Sequence, residues 1–360
     1  MFRKIDFLMP MSSQYDVLHH FTRKLYEAFL RTGAECRLLD GNDRVLVPLR
    51  SPPDVTIGFN GSLKMEDGSF FCDYIKVPYI SCLVDPFYRF LDLTKSPYIT
   101  LACDDMEGCS FLERSLFMPH AVEKELYCDP KEKRIYDIVF LGTAIDCERR
   151  RAQWKSCFPS SICHLMEEAA EAALGDDTTS YIPILQEECN PFTQKGVFEE
   201  VELYIKGRDR LDLLNSIEDH MIHVFGSSVD VADWSKLLQN KKNIIIHPPV
   251  PYEKSIEIMK QSKIVLNSSL KNKRGAHERV FTAAACGAVV VTNDNPFMAE
   301  NFSRGVDMLL YRRTEMSQLN EDISKLLGNE KKRDEMARRG CKKVKEAHTW
   351  DHRALTLMSN

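Results

Sequence analysis

The stretch KIVLNSSLKNKRGAHERVFTAAACGAVVVTND, residues 263–294, decides the fold. It reads as a strand (263–267), a polar basic loop, an alanine-rich helix (277–286) stopped by Gly287, and a buried β-branched strand (288–292). A strand, a helix and a second strand in that order make one unit of a parallel sheet. The loop carries Lys271, Lys273 and Arg274 before Gly275, and the helix opens near His277 with Arg279 in its first turn. The first N–H groups of a helix are free and its dipole end is positive. With these cations, such a start would suit a diphosphate. The same residues would equally serve as a solvated basic loop capping an ordinary helix.

Outward from this unit the alternation continues. Short apolar runs at 4–9, 36–39, 54–59, 77–84, 98–102 and 116–118 read as strands, and Val17, Phe21, Leu25 and Phe29 mark a helix between the first two. The charged segment DPKEKRI, 129–135, reads as a linker. A second series follows, with strands at 136–141, 223–225 and 243–247 and a helix at 253–261 before the opening stretch, and helices at 319–327 and 331–346 after it. The polar segment from about 147 to 222 reads as mostly helical, broken at Asn190-Pro191. The expected architecture is α/β, with two Rossmann-like domains facing a cleft: 1–130, then 131–346 with a helical insertion at about 150–220, then a terminal helix at 347–360 packing back on the first domain.

A chain of 360 residues accommodates two domains of about 150 residues. With 44% hydrophobic and 28% charged residues the composition is that of a globular protein, not a disordered one. A formal charge of −5 argues against sequence-independent nucleic-acid binding. No apolar run reaches the length of a membrane span, and MFRKIDFLMP reads as a first strand rather than a signal peptide. The 12 cysteines are scattered without a CxxC pair, which favours reduced thiols and a cytoplasmic setting over disulfides or zinc.

The quoted stretch also carries a resemblance. Arg279-Val280-Phe281, Ala283 to Cys286-Gly287 and the preceding Leu266-Asn267 resemble the carboxyl-terminal domain of GT-B glycosyltransferases, in particular the spore-maturation (CgeB-like) and group 1 families. Phe302, Gly305, His348-Thr349-Trp350 and Arg353 match later points of that signature. Leu83-Val84-Asp85-Pro86, Met118-Pro119-His120-Ala121 and Phe140-Leu141-Gly142 extend it more weakly, and 150–220 shows no likeness. The resemblance implies a metal-independent, hexosyltransferase-like enzyme with no bound cofactor. Its co-substrate would be a nucleotide-diphospho-sugar, a UDP-sugar first, and its acceptor a glycan, protein or lipid-linked group. One departure is Thr282, where the family usually places a Glu that binds the donor ribose; Glu278, one turn earlier, is the candidate substitute.

In open parallel sheets ligands gather at the carboxyl ends of the strands. On the donor side this selects Gly142 and Thr143, Arg149 with its neighbours Arg150 and Arg151, Gly226, His247 and Tyr252 of the HPPVPY loop, Asn267, Lys273, Arg274, His277, Glu278, Arg279 and Thr282. Each has an ordinary alternative as a turn, a solvated charge or a rigid connector. A general base for the acceptor hydroxyl is sought in the first domain, in the order Asp85, Asp104, His120. A strand-end Asp also commonly caps the next turn. Two other classes compete. An inactive GT-B scaffold that binds a partner is favoured by Thr282. A dinucleotide oxidoreductase is disfavoured, because residues 10–16 (PMSSQYD) contain no glycine.

Overall fold

The computed structural model describes residues 3–127, 129, 131–188 and 191–359. The chain forms two compact units, Met1–Leu126 with Lys345–Asn360, and Tyr127–Val344. In the first, the order is β1 (Lys4–Leu8), α1 (Val17–Arg31), β2 (Glu35–Leu39), α2 (Asp43–Arg50), β3 (Val55–Phe59), α3 (Phe71–Ile75), β4 (Tyr79–Cys82), a 3₁₀ segment (Phe87–Lys95), β5 (Ile99–Cys103), α4 (Met106–Phe111) and β6 (Ser115–Phe117). The six strands pair in parallel in the order β2-β1-β3-β4-β5-β6. Phe21, Leu25 and Phe29 are buried at four-residue spacing on α1, and the Phe29 ring meets Phe7 of β1 edge-on at 5.4 Å. The apolar run 77–84 yields a strand of only four residues. It stops because the Asn60 side chain takes the Val84 N–H at 2.9 Å and pulls the chain out of the ladder.

The second unit continues with β7 (Tyr136–Leu141), α5 (Cys147–Cys157), α6 (Ser160–Gly175), α7 (Ile182–Glu188), α8 (Pro191–Asn215), β8 (Ile222–Phe225), α9 (Trp234–Leu237), β9 (Ile244–His247), α10 (Tyr252–Lys260), β10 (Ser262–Leu266), α11 (Glu278–Ala285), β11 (Val289–Asn293), α12 (Pro296–Asn301), β12 (Leu309–Tyr311), α13 (Met316–Leu327) and α14 (Glu330–Ala347). Its strands are also parallel, in the order β12-β11-β10-β7-β8-β9. The order therefore turns back between β7 and β10. Ile138, Phe140, Val224, Ile264, Leu266, Val289 and Val291 form the core behind this turning point. The insertion is helices α5 to α8, and the Asn190 of the expected break lies outside the described residues. Strand β12 and helix α12 carry no period long enough to read from sequence.

The last helix, α15 (Trp350–Ser359), belongs to the first unit and packs on α1. The signature residues near it are structural. Trp350 is fully buried against Phe21 at 5.2 Å. The Arg353 guanidinium donates to the carbonyls of Pro119 (2.6 Å), His120 (2.8 Å) and Ala347 (3.2 Å), fixing the loop after β6. Burial holds its pKa down at about 10. The charged linker is also more than a spacer. Arg134 bridges the end of α10 and the turn after α11, reaching the carbonyls of Lys260 at 2.5 Å and Gly287 at 2.9 Å.

Candidate functional site

The turning point between β7 and β10 brings together residues from three elements. Gly142-Thr143 follow β7, Asn267 follows β10, and Arg279 lies in the first turn of α11. Asn267 is fully buried; its amide donates to Ser269 Oγ (3.0 Å) and Thr292 Oγ1 (2.9 Å), which aims its oxygen at Arg279 Nη1, 3.3 Å away. His277 caps α11, its Nδ1 accepting the Arg279 N–H at 3.3 Å, and the Glu278 carboxylate lies beside the same ring. The start of α11 thus presents a guanidinium, an imidazole and a carboxylate together.

Gly142 is fixed from behind, its carbonyl accepting the Trp234 indole N–H at 2.8 Å. Gly226 serves that approach rather than a ligand, since a Cβ on it would lie 1.9 Å from the Gly142 oxygen. One further residue reaches the site, and the sequence reading did not select it. Arg210 of α8 is 5% exposed and donates from Nη1 to the Thr143 carbonyl at 2.5 Å. Burial, then the Arg279 charge, pull its pKa down to about 9, while Asp209 and Glu202 draw it up less strongly. Arg210 falls on the same helical stripe as Leu213 and Leu214, both fully buried. A charged residue on an apolar stripe is the signal that could have revealed it.

Other candidates are engaged elsewhere. Lys273 is buried and its ammonium donates to the carbonyls of Ala173 (3.4 Å) and Asp177 (3.3 Å), while Arg274 is exposed. Arg149 stays at the surface, Arg150 pairs with Glu200 and Asp230 at 2.8 Å each, and Arg151 pairs with Glu167 at 2.5 Å. Tyr252 and Thr282 are both buried and bond to each other at 3.2 Å. The Thr282 hydroxyl also donates to the Glu278 carbonyl, as a helical threonine commonly does. His247 stacks on Phe225 at 4.2 Å and shares a bond of 2.9 Å with His223; burial lowers the pKa of both imidazoles, and for His223 the nearby His247 adds to it.

In the first unit, the Asp85 side chain is 46% exposed; it accepts the Asn60 amide at 2.8 Å and lies 3.7 Å from Arg89. Asn60 holds this position from a left-handed backbone, φ 51°. His120 and Asp104, at the ends of β6 and β5, are both buried and face each other at 3.3 Å. No group of three or more His, Cys, Asp or Glu among the described residues is arranged to hold a metal ion. No helix among them is long and apolar enough to cross a membrane.

Residues 208–359 match the family model described as glycosyl transferase-like (Glyco_trans_1_2). No curated protein matches the chain by sequence. Among solved structures, sucrose-phosphate synthase from Thermosynechococcus elongatus superposes with a TM-score of 0.57 at 8% identity, over 99% of this chain and 98% of its own. HepE of Anabaena, in complex with UDP-glucose, superposes with a TM-score of 0.55 at 10% identity, over 99% and 100% of the two chains. BGT of T4 phage, in complex with UDP and Mn²⁺, superposes with a TM-score of 0.52 at 12% identity, over 95% of each. The chain therefore has the α/β fold of the GT-B glycosyltransferases, two units each built on a six-stranded parallel sheet.

Proposed function

We propose that the protein is a glycosyltransferase that moves a sugar from a nucleotide-diphospho-sugar to an acceptor hydroxyl. The observation that carries this is the meeting of Arg279, Asn267 and the first turn of α11 where the strand order of the second sheet reverses. Ligands of open parallel sheets bind at such a point. The signature shared with the spore-maturation group runs through these same residues. HepE's complex with UDP-glucose supports a uridine nucleotide as the first to test. In this reading the diphosphate is the leaving group. The Arg279 guanidinium and the positive dipole end of α11 stabilise the charge that grows on it as the glycosidic bond breaks. Glu278, at the same helix start, is the acid placed to accept hydrogen bonds from the ribose.

The acceptor proton goes to a group of the first unit. Asp85 remains the first candidate, because its carboxylate is exposed and oriented by Asn60. The buried pair Asp104–His120 is the second. The scaffold reading rested on Thr282, whose hydroxyl is occupied by Tyr252 and the Glu278 carbonyl, so its identity bears on packing. The test is a thermal-shift and calorimetric screen of the full chain against UDP, GDP, ADP and their sugars, with and without Mn²⁺. A ligand at a hundred times its dissociation constant should stabilise by about 2.7 kcal/mol. Failure of every nucleoside diphosphate to bind would sink the proposal.

A further inference from the structure

We infer that Arg210, supplied by the insertion helix α8, is a second anion-binding residue of the donor site and grips the diphosphate together with Arg279. The inference rests on the donor-site reading above and adds to it a residue outside every motif of the resemblance. Three observations carry it. The guanidinium is nine-tenths buried, yet its Nε has no hydrogen-bond partner among the described residues. It lies along the Gly142 backbone, where a Cβ would come 3.5 Å from its Cζ. The like charge of Arg279 acts on it, and neither arginine forms an ion pair among the described residues.

The nearby carboxylates Asp209 and Glu202 act on this charge from a distance but form no ion pair with it among the described residues. Asp209 accepts Ser268 Oγ at 2.5 Å, Arg313 Nη1 at 3.0 Å and Asn293 Nδ2 at 3.4 Å. A buried charge without a counter-ion costs free energy, and two of the same sign cost more. An anion with several oxygens and two charges removes that cost, and a forked guanidinium matches paired phosphate oxygens. A purely structural Arg210 would be a tie between α8 and the Thr143 carbonyl. It would need only one of its five N–H donors.

The two roles separate by calorimetry on the full chain with UDP, UMP and inorganic pyrophosphate as probes. Arg210→Gln should weaken UDP and pyrophosphate about ten- to a hundredfold, and UMP less. Its ligand-free melting temperature should not fall, because an uncompensated buried charge is removed. Affinity for UDP within twofold of wild type would overturn the inference and leave the donor site standing. Arg210-dependent binding of pyrophosphate without binding of any nucleoside diphosphate would uphold the anion pair and overturn the donor reading. Binding of no probe by wild type would overturn both. Should Arg210→Gln fail to fold, Arg210→Lys, which keeps the charge and loses the fork, decides. Weakened UDP at an unchanged melting temperature supports the inference, and unchanged affinity refutes it.

Discussion

Arg134→Ala should destabilise the second unit without touching its donor site. The side chain donates from Nη1 to the carbonyls of Lys260 (2.5 Å), Ser262 (3.1 Å), Cys286 (3.2 Å) and Met259 (3.4 Å), and from Nη2 to Gly287 (2.9 Å). Met259 and Lys260 end α10, Cys286 and Gly287 follow α11, and Ser262 opens β10, so one side chain ties the ends of three elements. A hydrogen bond to a charged group contributes about 1.5–3 kcal/mol. Five acceptors on two nitrogens cannot be summed, and a half-buried site readmits water after truncation. The loss is therefore set at about two weak charged bonds, roughly 3 kcal/mol. For a unit of this size, 1 kcal/mol shifts the melting temperature by about 2–4 °C, so the expected drop is about 6–12 °C. Differential scanning calorimetry reads it. Arg134→Lys keeps the charge but reaches fewer carbonyls and should lose about half as much. Lys133→Ala, at an exposed neighbour, should change stability by less than about 0.5 kcal/mol. If Arg134→Ala melts within about 1 °C of wild type, the side chain is a spectator and the clamp reasoning fails.

Gly226→Ala places a Cβ 1.9 Å from the Gly142 carbonyl oxygen, so the strand ends must part. A loss of about 3 kcal/mol or more in urea unfolding is expected, with weakened nucleotide binding, and a silent substitution would contradict the geometry. Acidification should destabilise the protein from about pH 6.5 downward. Burial lowers the folded pKa of His348 to about 3 and also lowers those of His223 and His247, so the unfolded chain binds more protons below 6.5 and stability falls with pH. Asp177, raised to about 6 by burial, opposes this between about pH 4 and 6, but it is one group against three. A melting temperature flat from pH 7 to 5, or a His348→Gln variant with the wild-type slope, would refute the assignment. Asp85→Asn keeps the shape and the Asn60 contact yet cannot take a proton, so turnover should fall at least about a hundredfold with UDP affinity unchanged. Persisting turnover would move the base to His120 with Asp104.

The strands were legible because a fully buried parallel strand is a short unbroken apolar run, as in 136–141 and 288–292. Their ends also marked Asn267, which meets Arg279, and the helix start marked His277, which caps α11. Chemical type alone does not show that Lys273, Tyr252 and Thr282 bond within the fold. A cation or hydroxyl in a promising loop cannot declare from sequence that its polar atom is already taken by a carbonyl or by a neighbour in the core. The short helices α2, α3 and α4 span too few residues to display a period. Arg210 was hidden for a different reason. It belongs to the insertion, where no motif draws attention, and only its place among buried leucines marks it.

Two adjacent residues of α8 tie the insertion to the strand ends of the second sheet. Asp209 is fully buried and satisfied, tying the helix to Ser268 after β10, Asn293 of β11 and Arg313 after β12. Those bonds pin the position of the next residue on the helix. Arg210 is consequently held beside Gly142 with little freedom to withdraw from Arg279 or to turn toward solvent. A flexible surface arginine could relieve the repulsion by moving away, and would then pay ordering entropy when a ligand bound. Here the ordering is already complete in the folded chain. In the proposed anion site, the electrostatic cost of the two cations is carried before any ligand arrives, and a bound diphosphate would recover it. Preorganisation of this kind requires α8 and the carboxyl ends of three strands to form as one body. The buried acid and the buried base are therefore two halves of a single device, one fixing the helix and the other facing the crevice.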